Sequence, residues 1–340
     1  MANNHTITQT RIPKTYLYLA VILPILFYFI NNFSEKFKMS DIKNVIIIGA
    51  GGNLGPSILN AFLENSSFNV TVLSREGSSS TFPSGVKVVR ANYDSVDSLK
   101  SAFTGQDAVL SLVGGTALGD QQKLIDAAIA AGVKRFLPSE YGSNTVDERV
   151  LSIVPILRAK KGTVDYLKTK EDVISWSSVI TGPFFDWGIK VGFVGTDIAN
   201  KTFTFIDEGK GTFSVSNLYA IGLALIKVLE KSAETKNQYI FVSSFETNQR
   251  QLLETVEKVS GEKWAVKHIT SKELIESGNE KLKKQDFSGV VDLIRAAAFG
   301  QDNLGDSTPA GLWNDKLGLR KEDYEASVKA ALSGKLVGEK

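Results

Sequence analysis

The stretch Val45-Ile46-Ile47-Ile48-Gly49-Ala50-Gly51-Gly52-Asn53-Leu54-Gly55 sets the architecture of this chain. Four β-branched residues in a row, with no polar alternation, suit a strand covered on both faces. Glycines then recur as G-x-x-G-x-x-G at Gly49, Gly52 and Gly55, and Ile58, Leu59, Phe62 and Leu63 follow at helical spacing. In a strand, glycine turn and helix of this kind the chain reverses sharply and backbone N–H groups meet a pyrophosphate with no Cβ between them. The positive end of the helix then faces the negative charge. Gly49, Gly51, Gly52, Asn53, Leu54 and Gly55 are therefore predicted to bind a dinucleotide cofactor.

Beyond this unit, further strands are predicted at Val70–Ser74, Val86–Arg90, Ala108–Val113, Arg135–Leu137 and Ser177–Thr181. Helix patterns separate them at Ser98–Phe103, Gln121–Ala131 and Pro155–Lys168. This alternation predicts an α/β fold with a doubly wound parallel Rossmann sheet, whose ligand lies at the carboxyl ends of the strands. The Gly114-Gly115 turn falls at such an end, which adds Gly114 to the cofactor residues. The second strand ends where a ribose-binding acid is expected, yet Ser74 and Arg75 stand there. A guanidinium fork suits a 2′-phosphate better than a bare ribose, so NADPH is favoured over NADH. Glu76, one residue on, would favour NADH if the strand ended later.

Composition narrows the chemistry. The 340 residues contain no Cys, two His and two Met. Thiolate catalysis, disulfides and Cys-ligated metals are excluded, and no metal site is predicted. His5 lies in a polar tail and His268 in an alternating run, where it is read as structural. Chemistry then falls to Lys, Tyr, Asp, Glu or Ser working with a borrowed cofactor. The formal charge is +2, of which the segment before Met39 supplies more than the whole, with Arg11, Lys14, Lys36 and Lys38 against Glu35. A near-neutral body without a basic block argues against a nucleic-acid partner.

Two pairings compete for the catalytic lysine. Tyr166 and Lys170 fit the Tyr-x-x-x-Lys spacing common in hydride-transfer enzymes of this architecture. On a helix with Leu157 at 0°, however, Lys160 falls at about 300°, Val164 at about 340° and Leu167 at about 280°, while Tyr166 and Lys170 lie opposite at about 180° and 220°. A lysine within an apolar stripe calls for a reason, and a nicotinamide ribose beside it supplies one. The alternative is a lysine that snorkels to water, and Lys161 takes its place if the register slips. Lys160 is the predicted catalytic residue and is also counted among the cofactor residues.

Several segments resemble the isoflavone reductase-like and NmrA-like group of atypical short-chain dehydrogenases. They are the Gly49–Gly55 loop, Ser74-Arg75, the run Gln122-Lys123-Leu124-Ile125-Asp126-Ala127-Ala128 and, above all, Gly132-Val133-Lys134-Arg135-Phe136-Leu137-Pro138-Ser139-Glu140-Tyr141-Gly142. The resemblance runs from about Ile42 through Phe184-Phe185-Asp186 and continues more loosely through Gly261-Glu262-Lys263-Trp264. It implies hydride transfer from NADPH to a conjugated or benzylic carbon of a small phenolic compound. It also implies a lysine, here Lys160, in place of a Tyr-Lys pair, with Ile156 where the tyrosine would stand. The group also includes regulators that bind NAD(P) without turnover and act through a protein partner. That is the second reading of this chain.

Beyond residue 182 a smaller, mostly helical lobe is expected to cap the crevice, so that 39–182 bind cofactor and 183–340 bind mainly substrate, with some elements returning to the sheet. Pro183 and Phe184, just past a strand end, are placed near the nicotinamide. Lys201–Ser214 alternates around Glu208-Gly209-Lys210-Gly211 and reads as a hairpin. Residues 1–38 form an extension whose uncharged stretch 15–33 approaches the roughly 20 residues of a membrane-spanning helix. It is read either as an anchor for a cytoplasmic catalytic body or as an extension that the body does without, since Met39 opens a plausible enzyme start. A cleaved secretory signal is a lesser alternative. Oligomeric state is left unassigned.

Overall fold

The structure is a computed structural model that describes residues 41–337. Strand β1 (Asn44–Ile48) carries the apolar run and lies in the interior of a seven-stranded sheet. With β2 (Asn69–Arg75), β3 (Lys87–Ala91), β4 (Ala108–Ser111), β5 (Arg135–Leu137), β6 (Ser175–Ile180) and β10 (Gln238–Phe241), the order is β10-β6-β5-β4-β1-β2-β3. Every pairing in this sheet is parallel. The order reverses direction between β1 and β4, and that switch point opens a crevice at the strands' carboxyl ends.

Burial on both faces explains the unbroken apolar strands. Ile47, Val72, Leu110, Leu137, Val179 and Ile240 pack on one side, under α1 (Gly55–Asn65) and α7 (Leu218–Glu230). Ile46, Ile48, Leu73, Val109, Phe136 and Trp176 pack on the other, under α2 (Val96–Phe103), α3 (Gln121–Ala130) and α5 (Arg158–Lys168). Helix α4 (Glu148–Ile153) bridges β5 and α5, and a short 3-10 turn, Pro155–Leu157, leads into α5. Helix α7 approaches α1 so closely that a Cβ on Gly222 would lie 2.5 Å from that of Ala61.

The rest of the chain builds the lobe over the crevice. After α6 (Phe185–Lys190), the strands β7 (Thr196–Asp197), β8 (Thr202–Ile206) and β12 (Ala265–Ile269) form a three-stranded sheet. A two-stranded sheet joins β9 (Phe213–Val215) to β11 (Phe245–Thr247). Helices α8 (Gln249–Ser260), α9 (Ser271–Lys283) and α10 (Gly289–Phe299) and, after α11 (Asn314–Leu317) returns to pack beside α7, α12 (Tyr324–Leu332) complete it. The expected hairpin is corrected here. The two runs of Lys201–Ser214 do form strands, but β8 pairs with β7 and β12 while β9 pairs with β11. His268 lies on β12 with its ring edge-on to Phe205, 5.6 Å between centroids.

The expected membrane anchor is also corrected. Among the described residues, no helix is long and apolar enough to cross a membrane. The longest, α7 and α9, have 13 residues each, about 20 Å of helix against a hydrocarbon core of about 30 Å. The 15–33 stretch lies outside the described residues. Among the described residues the fold class is the α/β body with no membrane-spanning helix, and nothing in them supports membrane association or anchoring.

Candidate active site

The glycine turn is built for close approach. Gly49 adopts φ +82°, and a Cβ there would lie 2.7 Å from the carbonyl oxygen of Leu112, just past the end of β4. A Cβ on Gly55 would lie 2.1 Å from the Ala50 carbonyl oxygen, so only glycine lets α1 start directly against the strand end. The turn closes with Gly52 N–H donating to Gly49 O (3.0 Å) and Gly55 N–H to Gly52 O (3.1 Å). Gly51, Gly52 and Asn53 are exposed, whereas the Leu54 side chain joins the core and offers only its backbone to the crevice. Gly114 begins the segment after β4, so both glycine turns meet at the switch point.

At the outer edge, β2 ends with buried Ser74 and exposed Arg75, and Glu76 follows outside the strand. Arg75 is close enough to lower the Tyr93 hydroxyl's pKa, which burial nonetheless pushes up to about 12. Sequence reasoning missed a second guanidinium here. Arg90 on β3 stands opposite Ser74 and donates to Ser78 O (2.7 Å). The loop that it holds brings Ser80 Oγ to 2.7 Å from the place of a Cβ on Gly51. A basic residue at the matching end of the neighbouring strand was the available signal.

Lys160 emerges from the first turn of α5 in one stripe with buried Leu157, Val164 and Leu167. Its ammonium donates to the backbone carbonyls of Glu140 (3.3 Å) and Tyr141 (3.0 Å), at the turn after β5. An ammonium has three N–H donors, so two fix its position and one is left for the cavity. Burial lowers its pKa, and the neighbouring Glu140 carboxylate works against that shift. Lys161 instead pairs with Asp165 (2.6 Å), while the Tyr166 hydroxyl donates to Asp126 (2.6 Å) on α3 and its ring lies under Lys170. Neither lines the cavity.

Glu140 is a second functional candidate that the sequence did not single out. It is fully buried, and burial pushes its carboxyl up to about 7 despite the charge of Lys160 and a hydrogen bond from Thr145. Its other oxygen, Oε1, has no hydrogen-bond partner among the described residues. Two ionisable groups whose pKa values are driven toward each other thus lie side by side under the crevice.

The cavity over this pair has a volume of about 490 Å³, within the usual range for a small-molecule site. Lys160, Tyr141 and Gly142 form one side, and Pro183 and Phe184 enter from the turn after β6. Trp187 meets Phe184 edge-on at 6.3 Å and Phe193 at 6.4 Å, extending an aromatic wall into the lobe. Asp186 faces away from this wall. Its buried carboxylate accepts the backbone N–H groups of Trp187, Leu218 and Val337, which ties the turn to α7 and to the segment after α12. From α10, Val291, Ile294 and Arg295 close the far side.

A Rossmann crevice with a glycine cradle and a lysine-bearing apolar cavity defines a dinucleotide-binding protein with a small-molecule pocket. Residues 41–287 match the NmrA-like family, and the chain belongs to that family. It is 33% identical to oxidoreductase aprR of Aspergillus flavus, over 85% of this chain and 99% of that protein. It is 32% identical to oxidoreductase poxI of Penicillium oxalicum, over 83% and 92% of the two chains. Among solved structures, the leucoanthocyanidin reductase–NADPH complex of Vitis vinifera shares the fold with a TM-score of 0.72 and 20% identity, covering 85% of this chain and 99% of that one.

Proposed function

We propose that the protein is an NADPH-dependent reductase of a small aromatic or conjugated substrate. The observation that carries this reading is the position of Lys160, half-buried at the floor of the aromatic cavity by the sheet's carboxyl edge and left with one free N–H donor. The relatives aprR and poxI, both oxidoreductases, support it. So does the Vitis vinifera neighbour, a reductase whose binary complex holds NADPH.

The cradle fits a dinucleotide, because Gly49 and Gly55 open space that any Cβ would fill with backbone clashes. Gly49, Gly51, Gly52, Asn53, Leu54, Gly55 and Gly114 would hold the pyrophosphate, largely by their backbones, and Ser74 and Arg75, joined by Arg90, the ribose 2′-phosphate. Pro183 and Phe184 bound the nicotinamide end. This keeps the division of labour in which residues up to 182 hold the cofactor and those beyond mainly meet the substrate. NADPH in this position supplies a hydride to an electrophilic carbon of the substrate.

The chain's own residues handle the accompanying charge. As negative charge develops on the substrate, the Lys160 ammonium stabilises it and delivers a proton, and its lowered pKa makes that transfer easier than from an ordinary lysine. The carbonyls of Glu140 and Tyr141 hold Nζ in place, so little reorganisation is needed. Phe184, Trp187 and Phe193 exclude water and present flat faces to a conjugated ring.

The test is NADPH oxidation by the full chain across a panel of aromatic enones, quinones and phenolic ethers, with Lys160→Ala beside it. Turnover of at least one compound, lost in the variant while NADPH still binds, is expected. NADPH binding without oxidation of any compound would favour the cofactor-sensing regulator instead.

A further inference from the structure

The cavity holds a second cation, which reduction itself does not require. Arg295 sits on α10, one turn after Val291 and beside Ile294, and these three side chains line the cavity together. Its Nε is buried and has no hydrogen-bond partner among the described residues. The acid whose charge reaches it, Asp292, is already engaged by Ser277 Oγ (2.9 Å) and Lys281 Nζ (2.7 Å) of α9. No Asp or Glu lines the cavity; Glu140, the acid beside Lys160, lies outside that lining.

A cation in an apolar wall with no carboxylate facing it is costly, and the cost falls when an anionic acceptor reaches the part of the guanidinium that lines the cavity. The remaining walls are mostly apolar, from Leu157, Phe184, Trp187, Val191, Phe193 and Ile294, and Ser143 adds a hydroxyl but no negative charge. Val191 and Val291 stay 52% and 44% exposed at the cavity, unsatisfied apolar surface of the kind that a ligand covers. A planar fork with five donors is matched best by a carboxylate.

We propose that this cavity selects aromatic substrates carrying a carboxylate, or an equally anionic oxygen, which Arg295 binds. The proposal rests on the reductase reading in placing the substrate here. Lys160 and Arg295 then divide the work: one serves the bond being reduced, the other fixes the molecule's orientation through a group that does not react.

The test compares 2-naphthoate with methyl 2-naphthoate as ligands of the NADPH-saturated full chain, read by quenching of tryptophan fluorescence, since Trp187 lies in the wall. The acid should bind at least about 10-fold more tightly than the ester, in keeping with a charge-assisted pair. Arg295→Gln and Arg295→Met should each bring the two to within about 2-fold while keeping the ester's affinity, which also shows that the variants fold. Equal binding of acid and ester to the wild type, binding of neither, or an acid preference that survives both substitutions would overturn the proposal. None of these readouts needs turnover, so an absence of NADPH oxidation would overturn the reductase reading separately.

Discussion

Replacing Glu140 with Gln should flatten the protein's pH–stability curve. The folded state holds the Glu140 proton up to about pH 7, whereas an unfolded glutamate releases it near its ordinary value of 4.5. Between those values the native state binds more protons than the unfolded one, so stability falls as pH rises. A difference of this size corresponds to about 3 kcal/mol, present as stabilisation of the protonated form below pH 4 and fully lost above pH 7. Glutamine keeps the volume and an oxygen for the Thr145 hydroxyl but has no proton to lose. Urea unfolding of both proteins from pH 4 to pH 8 measures the effect. The wild type should lose about 3 kcal/mol more across the interval than Glu140→Gln, since other groups contribute alike to both. The same variant should move the alkaline limb of the turnover profile to lower pH, because burial would then lower the Lys160 pKa without the opposing carboxylate. Parallel stability curves would show that Glu140 is not held as a buried, reluctant acid, and the electrostatic explanation of Lys160 would fail with it.

Other expectations follow from single residues. Arg75→Ala should weaken NADPH binding by about 10- to 100-fold in calorimetric titration while changing NADH little, from the loss of one charge-assisted contact. Equal losses would refute the 2′-phosphate assignment, and adding Arg90→Ala should deepen the NADPH loss. Gly55→Ala places a methyl 2.1 Å from the Ala50 carbonyl oxygen, so it should cost about 2 kcal/mol or more in thermal unfolding and abolish NADPH binding. Tyr166→Phe removes only a surface bond to Asp126 and should leave turnover unchanged within about 2-fold; a large loss would return the tyrosine to the mechanism.

Local periodicity carried much of this structure. The Val45–Ile48 run and the glycine spacing specify strand, turn and helix through the residues themselves, and the sheet order follows from the alternation. Lys160 was legible because α5 is regular from Arg158 onward, so 100° steps placed Leu157, Lys160, Val164 and Leu167 on one side. What periodicity lacks is partnership. Thr202–Ile206 alternates as a strand should, but its neighbours are β7 and β12, and nothing local marks a parallel partner some sixty residues away. Glu140 and Arg295 stayed hidden for the same reason. Glu140 lies in an irregular turn whose burial comes from elements before and after it. Arg295 reads as an ordinary cation on an amphipathic helix until α10 is packed over the crevice.

The proposed mechanism turns on Lys160 serving a hydride transfer from NADPH in this cavity. Incubating the full chain with an aromatic enone and NADPH carrying deuterium at both nicotinamide C4 positions tests it, with the product analysed by mass spectrometry for both the wild type and Lys160→Met. One deuterium is expected on the former alkene carbon in the wild type. In the variant the rate should be lower by at least about 100-fold, with NADPH affinity within a few-fold. Product without deuterium, or deuterated product formed at the wild-type rate by Lys160→Met, would remove Lys160 from that role.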